Sequence, residues 1–111
     1  MKNQISPGNT IDVTAPYAVV SGGGCQVGSM FGVAGYDAAI NTTVTLDISN
    51  AVFNLAKTSA QAWTVGQLIY WDNTNKVATS AAGTGNLKIG FAQAVAANPS
   101  AIGHVRLNGA F

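Results

Sequence analysis

Charged side chains are scarce in this chain of 111 residues: they make up 8% of it, and glutamate is absent. An average soluble domain is about 25% charged. Five Lys and Arg against four Asp give a net charge of +1, with no basic run. This balance argues against nucleic acid and anionic membranes as partners. Because a neutral surface repels neighbours weakly, we expect a protein docked in an assembly, the alternative being a plain soluble domain.

Cysteine and histidine occur once each, as Cys25 and His104. One cysteine cannot form an internal disulfide, and this pair lacks the spacing of a metal site, so we expect neither metal nor cofactor. A Cys25–His104 hydrolase stays a third hypothesis, although nothing in the sequence orients the pair. Met1–Gln4 lead to Pro7-Gly8 rather than to an apolar segment, which argues against a signal peptide and favours synthesis in a reducing cytoplasm.

One segment, Gly22-Gly23-Gly24, resembles a phosphate-binding loop at first sight. Such a loop requires a following Lys and Ser or Thr, so that an ammonium and backbone amides hold the phosphates. Cys25-Gln26 follow instead. The segment therefore predicts a turn between strands.

The thirteen glycines and several Asn, Ser and Thr clusters divide the chain into short segments. This pattern is typical of an all-β fold, a small barrel or sandwich, in a single domain over residues 1–111. Residues 1–6 lack a packing pattern and predict a flexible arm. At most one helical turn is expected, near Ala60–Trp63. The predicted strands are residues 10–14, 17–20, 25–36, 42–48, 52–57, 67–72, 77–79, 86–96 and 103–107.

The cleanest alternation of apolar and polar residues lies in residues 42–48. It predicts a strand with one buried and one solvated face. Ser49-Asn50 predict a tight hairpin turn, which would return residues 52–57 along the same strand. Residues 25–36 predict one long strand that bends at its glycines.

Two adjacent aromatic residues, Tyr70 and Trp71, must face opposite sides of their strand. One ring would belong to the core and the other would point outward. An exposed Trp71 or Tyr70 would suit a carbohydrate-binding module, which is the alternative function. In the strand over residues 86–96, Leu87, Ile89 and Phe91 are predicted to share one face.

Taken end to end, the chain resembles a family of small capsid cement, or decoration, proteins of tailed bacteriophages. The most specific matching segments are Tyr70-Trp71-Asp72 and Gly28-Ser29-Met30-Phe31-Gly32-Val33. The other matching segments are Pro7-Gly8-Asn9-Thr10-Ile11, Ala15-Pro16, Val19-Val20-Ser21-Gly22, Val52-Phe53-Asn54-Leu55-Ala56-Lys57, Trp63, Gly66, Ile89-Gly90 and Val105-Arg106-Leu107. The sequence departs from the family pattern at Ala56, where a proline is expected, and at Gln67, where an aspartate is usual.

The resemblance implies a structural protein without enzymatic activity. Such a protein binds the outer surface of the mature capsid and stabilises it by bridging capsomers. Its implied partners are the major capsid protein and further copies of itself, as a homo-dimer or homo-trimer. Its implied location is the outer surface of the virion, after synthesis in the bacterial host cytoplasm. From its lack of a packing pattern, we expect the capsid contact in the arm, at Met1, Lys2, Asn3, Gln4 and Ile5.

Overall fold

A computed structural model describes residues 9–49, 51–83 and 85–107, and these residues form nine β-strands. No helix is found in these three ranges, and so none that could span a membrane. The strands are β1 (Thr10–Thr14), β2 (Gly24–Val27), β3 (Met30–Ala34), β4 (Thr43–Asp47), β5 (Val52–Ala56), β6 (Leu68–Asp72), β7 (Val77–Thr79), β8 (Leu87–Ala92) and β9 (Ile102–Leu107).

The strands form two antiparallel sheets, which confirms the predicted all-β class. The four-stranded sheet has the order β1-β4-β3-β2, and the five-stranded sheet has the order β5-β9-β8-β6-β7. The second sheet curls into a half-barrel. Its two outer strands approach each other where Lys57 and Ala78 form a parallel bridge and the Thr58 amide donates to the Ala78 carbonyl at 3.0 Å.

Each sheet packs around its own cluster of buried side chains. The core of the four-stranded sheet contains only small and aliphatic residues: Ala15, Val19, Cys25, Ala34, Val44 and Leu46. The core of the five-stranded sheet is larger and includes aromatic rings: Phe31, Val33, Leu55, Trp63, Ile69, Trp71, Ala78, Ile89, Ala92, Ala96, Val105 and Leu107.

The sheets meet where Phe31 of β3 packs on Trp71 of β6, with ring centroids 4.9 Å apart. Gly24 of β2 lies under the same rings: a Cβ there would come within 2.6 Å of Trp71 and 2.7 Å of Phe31. Trp63 covers Gly103 of β9 in the same way, since a Cβ on Gly103 would overlap its ring. Both tryptophans therefore pack on glycine backbone that no other residue could replace without displacement.

The predicted long strand over residues 25–36 is wrong in one respect. The segment is a hairpin of β2 and β3, and the chain reverses at Gly28, whose φ of +60° suits glycine. The glycine that was interpreted as a bend inside one strand is the turn between two.

The predicted hairpin at Ser49-Asn50 is also wrong. β4 is paired with β1 on one side and with β3 on the other, so neither of its edges is free for β5. β5 pairs instead with β9, in the other sheet. The segment after β4 is thus the crossover between the two sheets.

Three smaller predictions also differ from the structure. Residues 17–20 form only a bridge from Val19 to Ala38, and the suggested helical turn at residues 60–63 is replaced by a bridge from Trp63 to Ala96. The register of β8 against β6 shifts by one residue between Ile69 and Tyr70. Because of this bulge, Phe91 is on the opposite face from the buried Ile89.

Candidate interaction site

Charge of opposite sign is separated between the two sheets. Residues 9–49 carry three aspartates and no Lys or Arg, which gives −3; residues 51–107 carry four cations and one aspartate, which gives +3. The charged residues of the first range are Asp12, Asp37 and Asp47; those of the second are Lys57, Lys76, Lys88, Arg106 and Asp72. Negative charge is therefore concentrated in the half of the chain with the four-stranded sheet, and positive charge in the half with the five-stranded sheet.

The outward face of the five-stranded sheet carries a row of four side chains in direct register: Val52, Arg106, Phe91 and Leu68. We call it the arginine row. The Arg106 guanidinium lies 5.8 Å from the centroid of the Phe91 ring, a cation–π geometry. Val52 is 44% exposed and Leu68 52% exposed. The row combines one cation with accessible apolar surface, which is the composition of a protein-binding patch.

One face of the four-stranded sheet is polar and acidic, and we call it the threonine–aspartate face. It is formed by Thr10, Asp12 and Thr14 of β1 opposite Asp47, Thr45 and Thr43 of β4. The Asp12 carboxylate accepts a hydrogen bond from the Thr45 hydroxyl at 2.6 Å, and Asp47 accepts from the Ser49 amide and hydroxyl. These donors are neutral, so both carboxylates keep their charge for a partner.

A groove of about 350 Å³ lies between the sheets. Its lining is mainly apolar and includes Val20, Ala56 and Trp71. Lys76 lies across it, with its ammonium 3.9 Å from the centroid of the Tyr17 ring. The Tyr17 hydroxyl donates to the Gly24 carbonyl at 3.2 Å and accepts from the Gln26 amide at 3.1 Å. Burial raises the pKa of Tyr17, with partial opposition from the Gln26 hydrogen bond, so the phenol is neutral near pH 7.

The groove contains no nucleophile with an adjacent base, and its volume is at the low end for ligand pockets. Its mainly apolar lining suits an apolar group.

Lys57 is a cation that the fold has removed from the surface, since it is 4% exposed. Its ammonium donates to the carbonyls of Thr58 at 2.8 Å and Ser100 at 3.3 Å, and lies 5.7 Å from the Trp63 ring centroid. Burial lowers the pKa of Lys57. The ammonium therefore joins two loops of the half-barrel and is not available to a partner.

The structure does not bring Cys25 and His104 together as a catalytic pair. Cys25 is fully buried in the core of the four-stranded sheet, and burial raises the pKa of its thiol. His104 is exposed on β9 of the other sheet, opposite Asn54. Within the described ranges no three potential metal ligands cluster.

The two adjacent aromatic residues face opposite sides, as predicted. Trp71 is 1% exposed and its indole donates to the Asn73 side chain at 3.0 Å, so the hypothesis of Trp71 as an exposed platform is wrong. Tyr70 is half-buried on the outer face, with Lys88 and Thr79 as its cross-strand neighbours. The expected contact residues Met1 to Ile5 lie outside the described residues.

Sequence reasoning missed both surfaces. The separation of charge was readable along the chain, because every aspartate before residue 50 lies in a segment without a cation. The arginine row left no such signal, since its four residues come from four strands and meet only through the register.

The described residues thus present two exposed sheet faces and few charges, and no three potential metal ligands cluster among them. In the comparison with protein families, the model described as phage cement protein matches residues 5–107. The chain belongs to this family, whose members have a structural role on the phage capsid. No individual curated protein matches the chain.

Proposed function

We propose that this protein binds the outer surface of the mature phage capsid and stabilises it by bridging neighbouring capsomers. The major capsid protein is its direct partner, and the protein joins the shell after synthesis in the host cytoplasm. Family membership supports the capsid role. The observation that carries the bridging role is the pair of outward sheet faces with opposite charge, because such faces could link a copy held on one capsomer to a copy held on the next.

We assign the shell contact to the N-terminal arm, at Met1 to Ile5. The eight residues before Asn9 can span at most about 26–29 Å when extended. This reach is comparable with the shortest dimension of the folded part, which is 24 Å. An arm of this length would therefore allow a copy to contact the shell beyond the edge of its own folded part.

Stabilisation follows from mass action. A protein that binds the assembled shell and not the separated subunits stabilises the shell by about 2.7 kcal/mol per site at a hundredfold excess over Kd. Many copies that each bridge two subunits add avidity, so a weak single contact is sufficient.

The test compares capsids that lack this protein with the same capsids after its addition. We expect saturable, stoichiometric binding to mature capsids and a higher temperature of DNA release. Capsids that are equally heat-stable with and without bound protein would rule out the stabilising role.

A variant that lacks residues 1–5 tests the arm. It should keep the unfolding midpoint of the full chain, since both described cores are formed by residues after the arm, and it should lose most of its capsid binding. Unchanged capsid affinity in this variant would mean that the sheets, and not the arm, contact the shell.

A further inference from the structure

We infer that copies of this protein contact one another head to tail, with the threonine–aspartate face of one copy docked on the arginine row of the next. The partner is therefore a second copy of this chain. The contact deepens the proposed function, because it would join adjacent cement molecules on the shell, yet it forms between free copies as well.

The first support is the balance of charge. The described half with the four-stranded sheet carries −3, and the half with the five-stranded sheet carries +2 once the buried Lys57 is left out. A surface that recognised one charged partner would need only one sign. Opposite charges on one chain let every copy supply both halves of a contact, and the net charge of +1 leaves little repulsion between copies.

The second support is the chemistry of the two faces. The Asp12 carboxylate uses one hydrogen bond, from Thr45, and a carboxylate has about four acceptor positions. The Arg106 guanidinium has five donors and lies 5.8 Å from the centroid of the Phe91 ring, a contact that leaves N–H groups able to reach a carboxylate of a neighbour. Val52 and Leu68 on either side supply apolar area to bury against the threonine methyl groups.

The size of the faces sets the strength of the contact. The threonine–aspartate face spans two strands, and two strands at about 4.8 Å spacing with five residues each at about 3.4 Å give roughly 160 Å². A stable complex buries about 800 Å² on each partner. We therefore expect weak association in solution and firm association on a shell, where neighbouring sites raise the effective concentration.

The two faces differ, so the contact is heterologous. Such contacts close into rings when the rotation permits and otherwise continue as rows. A homo-trimer, one of the two oligomers that the family resemblance implies besides the homo-dimer, would be one closed product of this contact.

Charge exchange tests the inference by sedimentation velocity at about 1 mM protein, a concentration suited to an interface of this small size. Association should fall between about 10 mM and about 1 M salt, because the Debye length shortens from about 30 to about 3 Å. Asp12→Lys and Arg106→Glu should each weaken association at least tenfold. A mixture of the two, or the double variant, should restore it, because opposite charges face each other again.

Asp37→Lys and Lys76→Glu are the matched controls, since they make the same charge changes away from both faces. Both should associate within about twofold of the unaltered chain, in line with the small effects of most surface substitutions. Equal loss in the controls, or no restoration in the mixture, would overturn the head-to-tail contact. Thermal unfolding of each variant confirms that the fold is retained.

Disulfide trapping tests the geometry separately. Asp12→Cys and Arg106→Cys are mixed and oxidised; Cys25 does not interfere, because it is fully buried. The mixed dimer should exceed both self-pairs. Dominance of the Arg106→Cys self-pair would show a symmetric contact instead, and the absence of dimers would remove the contact. Both the association experiment and the trapping experiment use free protein, so their outcomes do not depend on capsid binding. The cement role is tested separately by the capsid experiment.

Discussion

The two sheets differ most in what fills their cores. The four-stranded sheet is filled by alanines, valines, one leucine and Cys25, whereas the five-stranded sheet buries two tryptophans and Phe31. Burial of a large aromatic side chain removes about 150–250 Å² from water, which is worth roughly 4–6 kcal/mol at about 25 cal/mol per Å². The stability of this protein is therefore concentrated in the half-barrel.

The smaller sheet depends on the larger one. Phe31 and Val33 belong to β3, yet they pack in the core of the five-stranded sheet. The four-stranded sheet thus gives its largest apolar side chain to the junction, and its opposite end presents the threonine–aspartate face to solvent. The larger core of the half-barrel therefore supports the smaller, acidic sheet.

The largest difference between the sheets should appear on truncation of core side chains. Trp63→Ala should reduce the free energy of unfolding by about 3–5 kcal/mol. Val44→Ala, at the same full burial in the smaller core, should cost about 2 kcal/mol, because fewer methyl groups are lost. Urea unfolding measures both. Equal costs would contradict the concentration of stability in the half-barrel.

A smaller effect is expected at the glycine beneath Trp63. Gly103→Ala should cost about 3 kcal/mol, because its Cβ would overlap a ring that is 1% exposed. Gly83→Ala is the control: its Cβ would meet only the Asn86 side chain at 3.7 Å, and we expect a change within about 0.5 kcal/mol.

A double-mutant cycle measures the interaction between Gly103 and Trp63. In a Trp63→Leu background the cost of Gly103→Ala should shrink by at least about 1 kcal/mol, as expected for residues in contact. An unchanged cost would mean that the overlap is relieved by backbone movement rather than by the ring.

The smallest effect concerns Lys57, which joins two loops of the half-barrel. Lys57→Met should destabilise the protein by about 1–3 kcal/mol near pH 7, because it leaves the partly buried carbonyls of Thr58 and Ser100 without this donor. Lys88→Met, on an exposed lysine, should change stability by less than about 0.5 kcal/mol.

The contribution of Lys57 to the free energy of unfolding changes with pH in a defined direction. Because its pKa is lower in the folded protein, the unfolded chain binds more protons below the ordinary lysine pKa of 10.5. The contribution of Lys57 to stability therefore rises with pH as the folded pKa is passed. The raised pKa values of Tyr17 and Cys25 act in the opposite direction above their ordinary values of 10.0 and 9.0.

The difference between the unaltered chain and Lys57→Met isolates this contribution. It should grow in guanidinium unfolding as the pH is raised from 7 towards the ordinary lysine pKa of 10.5, in the direction that linkage requires. A difference that falls over this range would mean that the Lys57 ammonium is stabilised, not penalised, by its surroundings.

The sequence predicted strands most accurately where apolar and polar residues alternate, so that every second side chain is buried. Val44 and Leu46 alternate with polar residues, and β4 occupies residues 43–47 almost as expected. The turn after β6 was also readable: the Asp72 carboxylate accepts from the Thr74 and Asn75 amides, which Asp and Asn side chains favour in turns. Glycine was ambiguous, because the same residue permits a bend, a turn or close packing under a ring.

The sequence alone determined the all-β class, the positions of most strands, the resemblance to phage cement proteins and the separation of charge along the chain, because each of these depends on residue types and short-range spacing. Only the tertiary structure decided that β5 pairs with β9, that the tryptophans pack on Gly24 and Gly103, and that Val52, Arg106, Phe91 and Leu68 form one row. The physical reason is that strand partners and register are chosen by contacts between distant segments, and a shift of one residue, as at Ile89, moves a side chain to the opposite face.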